Sequence, residues 1–166
     1  MPQAILSTTR LRFDHWQQGD ADLLYGLHSH ASVQRGYPFP PSAWTIEAAR
    51  ERLERFVAEQ ERHGLTKWKL SLADGTFVGR AGWSPWNEQE IELGYAILPA
   101  FQGRGFASEA AIALTNWAEE HRTEEIVGFA LVDNRASRHI LERIGMTYEG
   151  DQLIAEATHA FYRMAE

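Results

Sequence analysis

The sequence contains no cysteine, which excludes a disulfide framework, a thiol nucleophile and cysteine-ligated zinc. Any acyl transfer by this chain is therefore direct or uses another nucleophile. No apolar run approaches the roughly 20 residues that span a bilayer, and the opening Met1-Pro2-Gln3-Ala4 lacks the basic and apolar regions of a secretion signal. A cytoplasmic protein without membrane association is the expectation. A surplus of positive charge is missing as well: 16 lysines and arginines face 23 aspartates and glutamates, a net charge of -7. That balance repels a phosphate backbone and mildly favours a cationic partner, so no nucleic-acid partner is expected. No Gly-Lys-Ser or Gly-Lys-Thr occurs, which excludes the nucleotide P-loop. Nor is there a His-Glu-x-x-His, and the one close histidine pair, His28 and His30, diverges on a helix. No metal site is expected.

What is present suits one domain over residues 1–166, with 44% hydrophobic residues available for a core. Residues 4–6 and 10–15 read as a short opening strand, and Leu23, Leu24 and Leu27 mark a first helix. Prolines 38, 40 and 41 then impose a loop. Thr45 is placed to cap a second helix on which Ile46, Ala49, Leu53 and Phe56 share a face, ending near Gly64. Trp68, Leu70 and Leu72 alternate with polar residues, and Asp74-Gly75 turns the chain into Phe77, Gly79, Ala81 and Trp83 as a hairpin. Residues 91–98 are apolar except for Glu92, the signature of a central strand covered on both faces. A helix follows with Ala107, Ala110, Ala111, Leu114 and Ala118 in a stripe, then a strand over 126–132. Asn134 can cap a helix carrying Ser137, Ile140, Leu141 and Ile144, with Gly145 at its left-handed end, before closing strands near 147–149 and 159–164. The fold class expected is α/β (α+β), a mixed, mostly antiparallel sheet with helices on both faces.

Between the central strand and its helix lies Gln102-Gly103-Arg104-Gly105-Phe106-Ala107. A helix N-terminus offers unpaired N–H groups and the positive end of the peptide dipole, and glycines admit a ligand close to the backbone. The junction suits a pyrophosphate, although two glycines alone also make an ordinary tight turn. A dinucleotide fingerprint fits poorly, because Ser108 stands where its third glycine or alanine belongs and Glu124 and Glu125 precede the next strand.

The spacing Gln/Arg-x-x-Gly-x-Gly/Ala, met by Gln102, Gly105 and Ala107, resembles the coenzyme A loop of the GNAT superfamily of N-acetyltransferases. The likeness extends to Glu92-Leu93-Gly94-Tyr95, Glu109-Ala110, Asn134-Arg135-Ala136-Ser137, Leu141-Glu142-Arg143-Ile144-Gly145 and Thr9-Arg10-Leu11-Arg12, which together resemble the RimJ/RimL-like branch containing ribosomal-protein N-terminal acetyltransferases. The resemblance implies acetyl-coenzyme A as co-substrate, with no metal, and an amine acceptor that attacks the thioester directly. It further implies central strands that splay to admit the pantetheine arm, lined by Tyr95, Ala96 and Ile97, with Gln102, Gly103, Arg104, Gly105, Phe106 and Ala107 holding the phosphates. Asn134 and Ser137 fall in the matching motif and could touch the coenzyme, while capping and small-residue packing are their plain alternatives.

Two catalytic roles follow. Glu92 is the candidate base, since it is the charged residue of the central run and shares a strand face with the small Gly94 and Ala96; a strand-end carboxylate facing water or an arginine is the alternative. Many superfamily members carry a tyrosine as general acid where this chain has Leu141, which leaves Ser137 or water for that step. Acceptor specificity is expected from Tyr37, Phe39, Trp83 and Trp86, whose rings can hold apolar groups or cations, with ordinary core packing the alternative for any single one of them. The rival function is a coenzyme A-binding module without catalysis. Either a monomer or a homodimer fits.

Overall fold

Local signals set most of the elements. The Thr45 hydroxyl accepts from the Ala48 N–H at 3.1 Å and starts the longest helix, while the Gly64 N–H closes it on the Gln60 carbonyl at 2.9 Å. The computed structural model describes residues 3–35 and 40–166. Its elements are β1 (Leu6–Ser7), β2 (Leu11–Asp14), α1 (Ala21–Ser29), α2 (Ala31–Gln34), α3 (Ile46–His63), β3 (Lys67–Leu72), β4 (Phe77–Pro85), β5 (Glu90–Ile97), α4 (Phe106–His121), β6 (Glu125–Leu131), α5 (Arg135–Arg143), β7 (Met146–Ile154) and β8 (Ala157–Met164). The strands form one sheet in the order β1-β2-β3-β4-β5-β6-β8-β7. Among the described residues every pairing is antiparallel except β5 with β6.

The two faces of the sheet bury different groups. On one, Trp68, Ala81, Trp83, Ile91 and Leu93 pack with Phe106, Ala110, Ala111 and Leu114 of α4, and Leu141 of α5 joins the same cluster. On the other, α1 and α3 bring Leu24, Ala49, Leu53 and Phe56 against Trp16 and Trp44. Helices therefore cover both faces, as the sequence predicts.

Three details depart from the sequence expectations. The opening strand is a small hairpin, β1 pairing with β2 through Leu6↔Phe13. Leu23 is an exposed large apolar residue, and it is Ala21, Leu24 and Leu27 that pack α1 inward. The closing strands are longer than expected, pairing from Met146↔Met164 to Ile154↔Ala157 around a turn in which Ala155 and Glu156 have φ of 48° and 66°. Neither residue is a usual occupant of that region, so the turn carries no glycine signal.

The feature that positions the site is a divergence. β5 and β6 pair from Glu90↔Glu125 to Leu93↔Gly128, yet the strands continue to Ile97 and Leu131. Beyond Leu93 and Gly128 they splay, leaving a gap in the middle of the sheet.

Candidate active site

The loop at the end of β5 is shaped by its own side chains and by the chain's opening strands. Gln102 turns back and donates from Nε2 to the Ile97 carbonyl at 3.0 Å. Gly103 and Gly105 sit at φ 74° and 80°, a left-handed backbone that glycine adopts without steric cost. Gly105 is the N-cap of α4, and the first turn of that helix presents N–H groups with no intrahelical acceptor. The Arg104 guanidinium lies 5.5 Å from the Phe101 ring centroid. Phe106 is buried at 6% exposure, so this position offers a ligand its backbone and gives its ring to the core.

Arg10 fastens this loop from β2's entry. Its guanidinium donates from Nε to Glu109 Oε2 at 2.6 Å and from Nη1 to the Arg104 carbonyl at 3.0 Å, and it stacks 4.3 Å over the Phe106 ring. Thr8 adds a hydroxyl bond to Glu109 Oε1 at 2.6 Å. Burial pulls the Glu109 carboxyl upward, but hydrogen bonds from Thr8 and Arg10 outweigh it and hold the group below its ordinary pKa. Residues almost a hundred positions apart thus fix the turn that opens α4.

Backbone polarity lines the gap. The Leu98 N–H donates to the Val78 carbonyl at 2.9 Å, and ladder bonds alternate along an antiparallel strand. Tyr95 and Ile97 consequently turn their own N–H and C=O groups away from β4, toward the gap. The Tyr95 side chain leaves on the α4 face and places its hydroxyl 2.9 Å from Ser137 Oγ. Burial drives the Tyr95 phenol up to about 12, with a smaller opposing effect from Ser137, so it stays protonated at neutral pH. Asn134 Oδ1 accepts from the Ser137 N–H at 3.1 Å, which caps α5 and fixes the serine at the helix start. Leu141 is buried, and a Cβ added at Gly128 would lie 3.0 Å from its Cδ2. That position fills the core beneath β6.

On the opposite face of β5 stand Glu92, Gly94 and Ala96, registered with Ser84, Gly82 and Arg80 of β4. Glu92 is paired with the Lys67 ammonium, where water or an arginine was the sequence alternative. Across the gap on this face β6 contributes Phe129, paired with Phe161 of β8. Trp86 packs on both, its ring centroid 5.2 Å from Phe129 and 6.0 Å from Phe161.

The comparisons with known proteins match the chain as a whole. The profile of the acetyltransferase (GNAT) domain covers residues 10–147. The chain belongs to the GNAT acetyltransferase family. By that membership it is an acetyl-CoA-dependent acyltransferase. The uncharacterized N-acetyltransferase YoaA of Bacillus subtilis (strain 168) is 28% identical over 151 residues, spanning 88% of this chain and 84% of its own. An acetyltransferase from Agrobacterium tumefaciens str. C58 has the same fold with a TM-score of 0.81 at 24% identity, over 100% of this chain and 96% of its own. RimL, a ribosomal L7/L12 α-N-protein acetyltransferase solved in complex with coenzyme A, gives a TM-score of 0.81 at 20% identity over 97% of each chain.

Within this GNAT domain the sequence-predicted residues fall into three groups. Tyr95, Ile97, Gln102, Gly103, Arg104, Gly105, Ala107, Asn134 and Ser137 lie about the gap and its loop, Phe106 follows the loop with its ring in the core, and Glu92, Ala96 and Trp86 lie on the other face. Trp83 does not join them. The alternation of β4 sets it opposite Leu93 on the α4 face, with 0% exposure, so it is a core residue and offers no surface to an acceptor. Tyr37 and Phe39 lie outside the described residues. Arg10, Thr8 and Lys67 went unassigned in the sequence, because their roles arise from partners distant along the chain.

His28, one of the two close histidines, is a buried acceptor: Arg80 Nε donates to its Nε2 at 3.0 Å. Burial first, then the charges of Arg80 and Arg52, push His28 down to about 2. Its folded pKa lies below the unfolded value of about 6.5, so the neutral ring's contribution is complete above that pH and is lost as pH falls, by up to about 1.4 kcal/mol per unit. Urea unfolding between about pH 6 and 5, where few carboxylates protonate, is expected to show this slope in the native protein and a flatter one in His28→Gln. Parallel slopes would contradict it.

Proposed function

We propose that this enzyme transfers the acetyl group of acetyl-CoA to a primary amine by direct attack in a ternary complex. The observation that carries this reading is the gap: the glycine-capped start of α4 lies on one side of it, while Glu92 stands at its mouth on the face that carries Trp86, Phe129 and Phe161. Bound acetyl-CoA would supply an activated thioester. The N–H groups at the start of α4 hold its pyrophosphate, and the outward N–H and C=O of Tyr95, with the N–H of Ile97, align its arm. Glu92 takes the proton of the incoming ammonium, so that nitrogen presents a lone pair to the thioester carbon. As the carbon–sulfur bond breaks, Ser137 Oγ gives a proton to the departing sulfur and recovers one from Tyr95 through their 2.9 Å hydrogen bond; the second proton shed by the acetylated nitrogen passes through solvent and restores the Tyr95 phenol. This pair fills the role left open by Leu141.

The acceptor is a protein N-terminus or a small-molecule amine. RimL, which acts on the N-terminus of a ribosomal protein, supports the first through shared fold, and the ring floor on the Glu92 face suits an apolar or cationic body in either case. Incubating the protein with acetyl-CoA and a panel of N-terminal peptides, polyamines, amino acids and amine antibiotics tests the proposal. Release of free thiol with an N-acetylated product is the expected result. Coenzyme binding without turnover on any amine would leave a non-catalytic binding module, and acetyl on oxygen would move the enzyme to a different acceptor class.

A further inference from the structure

A second charge reaches the gap from β3. Lys67 stands opposite Gly82, and Gly82 opposite Gly94, so the lysine side chain crosses two glycines to reach β5. The route ends where Gly94 is bare: a Cβ there would lie 2.7 Å from Lys67 Cε and 2.8 Å from its Nζ. The ammonium donates to Glu92 Oε2 at 2.5 Å and to the Glu92 backbone carbonyl at 3.1 Å. Both side chains are nearly shut off from water, at 8% and 13% exposure. A lysine is costly to bury unless its charge is matched and hydrogen-bonded, and this one is matched to the carboxylate that borders the gap. The other Glu92 oxygen, Oε1, is on the Gly94 side, 3.0 Å from where a Cβ there would be.

We propose that Lys67 is a positioning residue for acceptor deprotonation: its two bonds to Glu92 fix the carboxylate at the mouth of the gap, ionised, with Oε1 turned toward the incoming amine. This rests on Glu92 as the base of the N-acetyltransferase reaction. The neighbouring charges are consistent with the arrangement. Burial lowers the Lys67 ammonium below the ordinary lysine range, the charge and hydrogen bond of Glu92 pull it back, Arg80 of β4 lowers it further and Glu59 of α3 raises it. His28 of α1, bonded to Arg80, adds no charge while neutral. Glu92 is thus the hydrogen-bonded partner on which the ammonium depends, and the dependence is mutual.

The test compares Lys67→Met, Lys67→Arg and Lys67→Met/Glu92→Gln with the native enzyme, following kcat and KM against pH and thermal stabilisation by acetyl-CoA. Lys67→Met is expected to lower kcat roughly 10- to 100-fold, within the span of general-base effects. The acid limb of its rate profile should move to higher pH, because the carboxylate loses a neighbouring cation, while acetyl-CoA stabilisation is kept. Lys67→Arg should restore part of the rate. In the Glu92→Gln background, Lys67→Met should cost almost nothing, since a residue acting through Glu92 has no second effect; this double variant also shows whether the apolar side chain folds in place. An unmoved acid limb, or an equal loss in both backgrounds, overturns the proposal. If the native protein binds acetyl-CoA but acetylates no amine, the functional reading fails by itself. The lysine is then judged by the infrared carboxyl band lost in Glu92→Gln: its titration must move to higher pH in Lys67→Met, and an unchanged titration refutes the pairing role.

Discussion

Valine at position 105 is expected to abolish acetyl-CoA binding while leaving the fold intact. Gly105 holds φ 80° as the N-cap of α4, where a β-branched residue is strongly disfavoured. Space is not the obstacle, since the nearest atom to an added Cβ is Arg10 Nη2 at 3.5 Å. The strain is backbone strain, and relieving it rotates the peptide groups whose N–H vectors would meet the pyrophosphate. The distortion should stay local, because Arg10 and Thr8 hold the helix start through Glu109 rather than through Gly105. With ligand at about 100 times its dissociation constant, the native protein should gain about 2.7 kcal/mol of stability, and Gly105→Val should gain nothing measurable. Thermal unfolding with and without acetyl-CoA reads both, and circular dichroism of the variant checks the fold. An equal gain in the two proteins would remove the loop from the donor site.

The parts of this fold that were legible in the sequence are those written in local chemistry. Thr45 and Gly64 mark the ends of α3, Asp74-Gly75 marks the β3–β4 turn, and the Gly103/Gly105 spacing marks the start of α4. Each depends on a few consecutive residues, so pattern and structure coincide. The β7–β8 hairpin was shortened in the sequence because β7 is an edge strand, largely exposed and polar, with little apolar alternation to announce it. Its turn is made by Ala155 and Glu156, where turn chemistry predicts glycine or asparagine.

Tertiary placement was harder to read than element type. Trp83 and Trp86 are three residues apart in one aromatic segment, yet the first is sealed against α4 and the second is 38% exposed on the Glu92 face. Strand alternation decides between them, and it can be applied only once the register with β5 is known. Lys67 stands just before the alternating run of Trp68, Leu70 and Leu72, and nothing local to it signals a partner. The glycines that let it burrow to Glu92 lie on two other strands. Arg10 likewise meets Glu109 only through the folded chain. Spacing and family resemblance pointed to the loop over 102–107; the residues that hold it and hold Glu92 belong to contacts that no single segment encodes.

The largest rate effect is expected from Glu92→Gln. The amide is close in shape to the carboxylate, and its oxygen can still accept from Lys67, so the β3–β5 contact and the width of the gap should persist. What disappears is the ability to take a proton from an ammonium. A positioned general base contributes about 10²–10⁴ in rate, and kcat should fall by a factor in that range. KM for acetyl-CoA and its thermal stabilisation should not change, because the proposed donor loop is held by Ile97, Arg10 and Glu109, while Glu92 is held by Lys67 on the other face. Raising the pH separates this loss from a structural one: once solvent deprotonates the amine, the requirement for a base relaxes, and the variant should recover part of the deficit while the native enzyme gains little. A variant as active as the native enzyme at neutral pH would take Glu92 out of the reaction. A deficit that stayed constant at all pH values would instead make the carboxylate an acceptor-binding group, with deprotonation left to solvent.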